Sequence, residues 1–329
     1  MPSMVTAHID RALTNISTAY IQDESVFIAD KVFPQVPVQK QSDVYFTYDK
    51  GDLYRDEARL RGNATESVGS DYNVDVSEPY YCKLYALHKD VTDQERANYD
   101  VPLNADRDAT EFIIQKMFIH RERNWATKYF KTGVWGTDIT GVEAPGDGEE
   151  LGENEVVKWS SSASTPIEDV CAMIIKMAGE TGFRPNKLVL APDVFYALKN
   201  HEDILDRIKY TQKGIVTVDL LATLFEVDQV HIPWAVANDS VQGKDDNVDF
   251  IMNGGMLLCH SQKSPALKKP TAGYTFTWKG LMGSSAYGNR IVRLPMPSKG
   301  LGTERIEAEM AYDHKMVCRD LGVFYSDMV

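Results

Sequence analysis

Hydrophobic and polar positions change period several times along the chain, and each change marks an element. Residues 44–48 set Val44, Phe46 and Tyr48 against Tyr45 and Thr47, and residues 72–76 set Tyr72, Val74 and Val76 against Asn73 and Asp75. A period of two is the mark of a strand. The stretch between them, DKGDLYRDEARLRGNATESVGS, is polar and glycine-punctuated, so the strands close a long hairpin with a charged tip. A two-stranded ribbon is marginal alone in water. It needs a surface to lie on, and a neighbouring subunit is one candidate.

Before the hairpin, Ile9, Leu13, Ile16 and Tyr20 form one helical stripe, and FIADKVFPQVPVQKQ follows with Pro34 and Pro37 forcing an extended path. An arm lying on other surfaces fits this segment. After the hairpin, residues 104–130 read as one long helix with Phe112, Ile113, Met117, Trp125, Tyr129 and Phe130 as its buried side. Such a helix is about 40 Å long, against a radius of gyration of about 20 Å for a compact ball of this length; a flattened, elongated molecule follows.

Residues 133–164 read as loop. Thr165 as N-cap, Pro166 at the first helical position and Glu168 as the capping-box partner then open a helix whose apolar set is Val170, Ile174 and Met177, and Gly182 closes it. Strands over 188–191, 250–252 and 256–259 alternate with short helices in FRPNKLVLAPDVFYALKNHEDILDRIKY and TVDLLATLFEVDQVHIPW, which makes an α/β block. The tail returns to strand patterning at 274–278, 289–294, 305–310 and 315–320. The fold class is α+β, with no internal repeat.

Composition narrows the function. The 329 residues are 43 % hydrophobic and 25 % charged with a formal charge of −13, and no Lys/Arg stripe offers counterion-releasing phosphate contacts. No apolar run is long enough to span a membrane and the first residues lack a basic-then-apolar leader, so synthesis in a cytosol is expected. Cys82, Cys171, Cys259 and Cys318 are isolated and read as buried free thiols. No phosphate loop, GxGxxG, HExxH or GxSxG occurs, and GSSAYG at 283–288 reads as a turn. Asp147, Glu149, Glu150, Glu153 and Glu155 lack calcium-loop spacing and read as a solvated charge run. No catalytic, cofactor-binding or metal-binding residue is assigned. The candidate contacts are at the hairpin tip, where Arg55, Arg59 and Arg61 interleave with Asp56 and Glu57. That pattern suits charge pairing across a subunit boundary as well as it suits a solvated loop.

The order of arm, long two-stranded loop, long helix, α/β block and return to β resembles the major capsid proteins of tailed double-stranded DNA phages with the Hong Kong 97-type fold. FRPNKLVLAPDVFYALKNHEDILDRIKY followed by LLATLFEVDQVHIPWAVAND is similar to that family's axial domain, and MVCRDLGVFYSDMV to its closing strand. The resemblance is one of order and segment style over essentially the whole chain. It implies an N-terminal arm at 1–43, an extended loop at 44–92, a peripheral domain at 93–182 and 271–329 with a spine helix at 104–130, and an axial domain at 183–270.

The implied function is that of a non-enzymatic shell subunit. It self-assembles as hexamers and pentamers in the host cytoplasm into the icosahedral capsid of a virion, enclosing DNA without sequence-specific binding. A separate scaffolding protein and a portal are the expected partners, with no cofactor, no membrane, and no lysine–asparagine cross-link that can be matched to residues. Two alternatives stand beside it: an encapsulin-like nanocompartment shell with protein cargo, and an α+β enzyme whose site leaves no sequence signature.

Overall fold

The structure is a computed structural model that describes residues 21–76, 78–99, 103–146, 150–208, 216–265, 268–282, 289–300 and 302–329. The helical stripe from Ile9 to Tyr20, the turn at 283–288, and Asp147 and Glu149 lie outside the described residues.

The chain begins with α1 (Ala29–Val32), β1 (Gln35–Val38), β2 (Ser42–Val44), β3 (Thr47–Tyr48) and α2 (Lys50–Tyr54), then β4 (Val74–Asp75), β5 (Pro79–Tyr81), β6 (Lys83–Val91) and α3 (Asp93–Asn98). The long helix α4 (Ala105–Tyr129) leads to β7 (Thr137–Val142), β8 (Glu155–Val157), α5 (Pro166–Thr181), β9 (Lys187–Leu190), α6 (Pro192–Asn200), α7 (Glu202–Ile208) and α8 (Val218–Leu224). The remainder is β10 (Gln229–His231), β11 (Val236–Asn238), β12 (Val248–Phe250), β13 (Met256–Cys259), β14 (Gly273–Trp278), α9 (Lys279–Met282), β15 (Asn289–Pro295), β16 (Glu304–Met316) and β17 (Gly322–Ser326).

Two sheets organise these elements. The first has the order β1-β14-β16-β15, with β6 also on β16. Helix α4 lies on it through Ala105, Ala109, Ile113 and Met117, four-residue steps that meet Val91, Ile306, Ala308, Met310 and Tyr312. Asn104 opens α4 by accepting from the backbone N–H groups of Asp106 and Arg107.

The second sheet has the order β10-β9-β13-β17-β7-β8. Its central strands read as unbroken apolar runs because both faces are covered. Leu188, Leu190, Met256, Leu258, Val323 and Tyr325 face α5 to α8. Val189, Leu257, Cys259 and Phe324 face α1 and the second half of α4.

Several expectations are corrected. The strands expected at 44–48 and 72–76 are instead two short ladders, β2 with β5 and β3 with β4. The segment 133–164 contains β7 and β8. The tail strands expected at 305–310 and 315–320 are one 13-residue strand, β16, after which Arg319–Leu321 is a single 3-10 turn. The strand at 250–252 lies at 248–250. Phe112 is not buried; it is 48 % exposed, with Lys116 Nζ 4.8 Å from its ring centroid. Thr165 makes no capping hydrogen bond, and Glu168 turns instead to Arg207 at 2.5 Å. Helix α5 still starts at Pro166 and ends on Gly182 in the left-handed region, φ 73°. All four cysteines are free, Cys82 and Cys259 buried, but Cys171 and Cys318 only half-buried.

Candidate assembly interface

The extended loop rises from the edge of the first sheet. At its base Tyr80 stacks on Phe276 with centroids 4.5 Å apart and planes 13° from parallel, and Tyr45 stacks on the same ring at 5.9 Å. The Cys82 N–H donates to Gln41 O at 2.8 Å and closes the two sides of the loop. The loop is therefore rooted in aromatic contacts on β14, and beyond that root its apolar residues lose their cover.

Of the 23 exposed large hydrophobic residues among those described, ten fall between Val44 and Tyr81; Phe46 is 65 % and Leu60 102 % exposed. Isolated exposed hydrophobics are ordinary, but a concentration on one thin element marks a surface that meets a partner.

The tip is held by polar contacts of its own. Asp49 caps α2 by accepting from the Gly51 N–H at 2.9 Å. The Asp52 carboxylate crosses the loop to accept from the Asn73 N–H at 3.0 Å. It also lies 3.4 Å from Arg55, whose other nitrogen is 3.2 Å from Glu57. A hydrogen bond from Ser70, and then the Arg55 contact, hold the Glu57 carboxyl below its usual range. Arg61 Nε donates to Thr65 O at 2.5 Å across the turn at Gly62.

Of the candidate contact residues, the structure thus joins Arg55 to Glu57 and turns Arg61 onto the backbone. Asp56 and Arg59 are exposed and pair with no described residue. Sequence reasoning missed Asp52, the carboxylate that draws the two sides together; its only signal was the helix-capping Asp49 three residues before it. It also missed the return contacts from Lys50 to Asp320 and from the Tyr54 hydroxyl to the Thr181 carbonyl.

Among the described residues the one Ser–His side-chain contact is buried: Ser164 Oγ lies 2.9 Å from His201 Nε2. His201 Nδ1 accepts the Asp203 N–H at 3.2 Å, so the ring proton sits on Nε2, and the Ser164 hydroxyl donates to Ser161 O at 2.7 Å. A histidine in that tautomer cannot take the serine proton. The pair fastens the loop before α5 to the start of α7. Among the described residues no group of three or more His, Cys, Asp or Glu side chains could hold a metal ion, and no helix is long and apolar enough to cross a membrane.

Comparison with known proteins agrees with a shell subunit. Residues 153–272 match the family model described as phage major capsid protein E. A major capsid protein of Burkholderia phage BcepMu is 27 % identical over 282 residues, covering 83 % of this chain and 84 % of its own. Among solved structures, a phage-related protein from Bordetella bronchiseptica RB50 superposes with a TM-score of 0.68 at 20 % identity, covering 93 % of this chain and 94 % of its own. The capsid of cyanophage P-SCSP1u gives 0.58 at 11 % identity, with 94 % and 90 % covered. At these identities the structural likeness establishes the Hong Kong 97-type capsid fold.

Proposed function

We propose that this chain, a phage major capsid protein and hence a structural subunit of the virion shell rather than an enzyme, closes an icosahedral shell from hexamers and pentamers and encloses double-stranded DNA. The observation that carries the reading is the apolar surface concentrated on the extended loop, which a single chain leaves without cover. Laid over a neighbouring subunit, the loop buries that surface. A contact repeated from subunit to subunit around a ring is heterologous, and closes when the rotation between copies closes.

The first sheet with α4 as spine serves as the peripheral domain, and the second sheet with its helices as the axial domain. Helix α5, β7, β8 and β17 join the axial layer by packing and pairing, although they lie outside residues 183–270 in sequence. Arg55, Asp56, Glu57, Arg59 and Arg61 sit at the far end of the loop, where charge pairing sets register between subunits. A formal charge of −13 disfavours strong attachment of the chain as a whole to phosphates, so the DNA is enclosed and not read. A separate scaffolding protein guides curvature, and a portal occupies one vertex.

Negative-stain electron microscopy of the purified chain, with and without a candidate scaffolding protein, tests this reading. Closed shells of uniform diameter that protect DNA support it. Shells that retain a protein cargo in place of nucleic acid establish the nanocompartment alternative, and a monomer under every condition overturns both.

A further inference from the structure

Residues 28–33 form a small wedge where three layers meet. Ile28, Ala29, Val32 and Phe33 are all at most 1 % exposed, and they pack against Trp125, Ala126 and Tyr129 of α4 on one side and Val189, Leu257 and Cys259 of the second sheet on the other. Directly after the wedge, β1 joins the first sheet by parallel pairing with β14. The same short segment therefore touches the spine helix and both sheets.

Two buried charges grip it from opposite ends. At the front, the Glu122 carboxylate in the middle of α4 accepts from the Ile28 N–H at 3.0 and 3.1 Å and from the Ala29 N–H at 3.0 Å. At the back, Lys187 Nζ at the start of β9 donates to Lys31 O at 2.5 Å and lies 3.4 Å from Val32 O. Ser261 Oγ donates to Val32 O at 2.6 Å and Thr275 Oγ1 to Phe33 O at 3.2 Å. The signs are those that a helical turn favours, an anion at its N–H end and a cation at its C=O end. Glu122 is 0 % and Lys187 4 % exposed. Burying charges costs more than an apolar filling of the same space, and a known return for that cost is a unique geometry.

We infer that Glu122 and Lys187 are positioning residues that clamp the base of the N-terminal arm, so that this wedge couples the spine-helix layer to the axial sheet and carries arm contacts in the shell into the relative setting of the two. The inference rests on the shell reading above, because the arm has neighbours to pull on only in an assembly. Both side chains are buried, and each holds backbone groups at the base of the arm.

The test compares wild type with Glu122→Gln and Lys187→Met by amide hydrogen exchange and electron microscopy. Glutamine offers one acceptor and sets an amide NH2 against a backbone N–H, while methionine fills the lysine's space without donating. Expected is at least a tenfold faster exchange at residues 28–33, unchanged protection in α4, β9 and β13, and shells that lose their single diameter. Faster exchange throughout the molecule would make the pair ordinary core residues and overturn the inference; so would loosened wedges in shells of unaltered diameter. Should either variant fail to fold, Ser261→Ala removes one hydrogen bond to the wedge and is held to the same outcomes at smaller amplitude. Failure of wild type to form shells would sink the shell reading itself, and is seen before any variant is made.

Discussion

Phe33 occupies the space that a side chain at Gly273 would need: a Cβ there would stand 2.5 Å from two ring carbons of Phe33 and 2.7 Å from the Lys315 carbonyl oxygen. The ring cannot step aside freely, because Trp125, Tyr129 and Trp135 hold it with centroids at 5.6, 4.9 and 6.3 Å. Gly273→Ala should therefore cost about 1–3 kcal/mol, the usual range for overpacking a tight core. Urea unfolding of the unassembled chain measures it. A loss below about 0.5 kcal/mol, the scale of an ordinary surface substitution, would mean that the wedge yields.

Two helix starts that look alike in sequence should respond differently to the same substitution. The Asn104 side chain accepts two backbone N–H groups at the head of α4, so Asn104→Ala should cost about 1 kcal/mol. Thr165 accepts none and only donates to Asp169 at 3.4 Å. Thr165→Ala should stay within about 0.5 kcal/mol, and equal losses at the two sites would contradict the capping geometry.

Where one residue pattern maps to one environment, the sequence was readable. Helix α4 was located to within a residue at each end, and β9 and β13 stood out as apolar runs because both faces of their sheet are covered. Thr165 misled because the capping box is a statement about rotamers, and Glu168 finds Arg207, 39 residues away, a better partner. Phe112 misled because an aromatic ring on a helix reads as core until the register of the sheet beneath it is known. The tail strand was split because Asp313 and His314, which look like a break, are buried polar residues inside β16. The candidate contacts at Arg55 and Glu57 were visible as charges, but their partner Asp52 depended on how the loop folds across to Asn73. The Glu122–Lys187 clamp left no local signal, since its members lie in three separate segments.

Glu122 should also give the protein a characteristic pH dependence. Burial pushes its carboxyl up from 4.5 to about 7, against the opposing pull of the Ile28 and Ala29 N–H groups and of Arg121. A group that holds its proton more tightly when folded contributes fully below its unfolded value, near pH 4.5, and loses that contribution as pH rises through about 7. The stability of wild type relative to Glu122→Gln should fall between about pH 5 and pH 8. Asp90 acts in the opposite sense. Hydrogen bonds from Arg305 and then Lys299 hold its carboxyl below the ordinary 3.8, so its contribution is present above that value and lost as pH falls below it. Urea midpoints from below pH 3.8 up to about pH 8, for wild type, Glu122→Gln and Asp90→Asn, separate the two; a wild-type-minus-Gln difference that does not change with pH would remove the titration from Glu122.

The extended loop is the last and most discriminating case, because its contribution to folding and its contribution to assembly should separate. None of residues 56–70 belongs to the four buried clusters, and the tip is closed below them by Asp52 and Asn73. Replacing 56–70 with a short glycine–serine turn should change the unfolding free energy of the free chain by less than about 1 kcal/mol, as expected for a surface change that disturbs no core contact. The same replacement uncovers or removes the surface that a neighbour would meet, so light scattering should show no shells. The charge reversal Arg59→Glu is a finer probe. Arg59 is exposed and pairs with no described residue, so within the free chain it should be silent, while across a subunit boundary it should shift the salt concentration at which shells dissociate. A tip-deleted chain that assembles normally would move the interface elsewhere, and a destabilised one would make the loop part of the fold it was thought to leave.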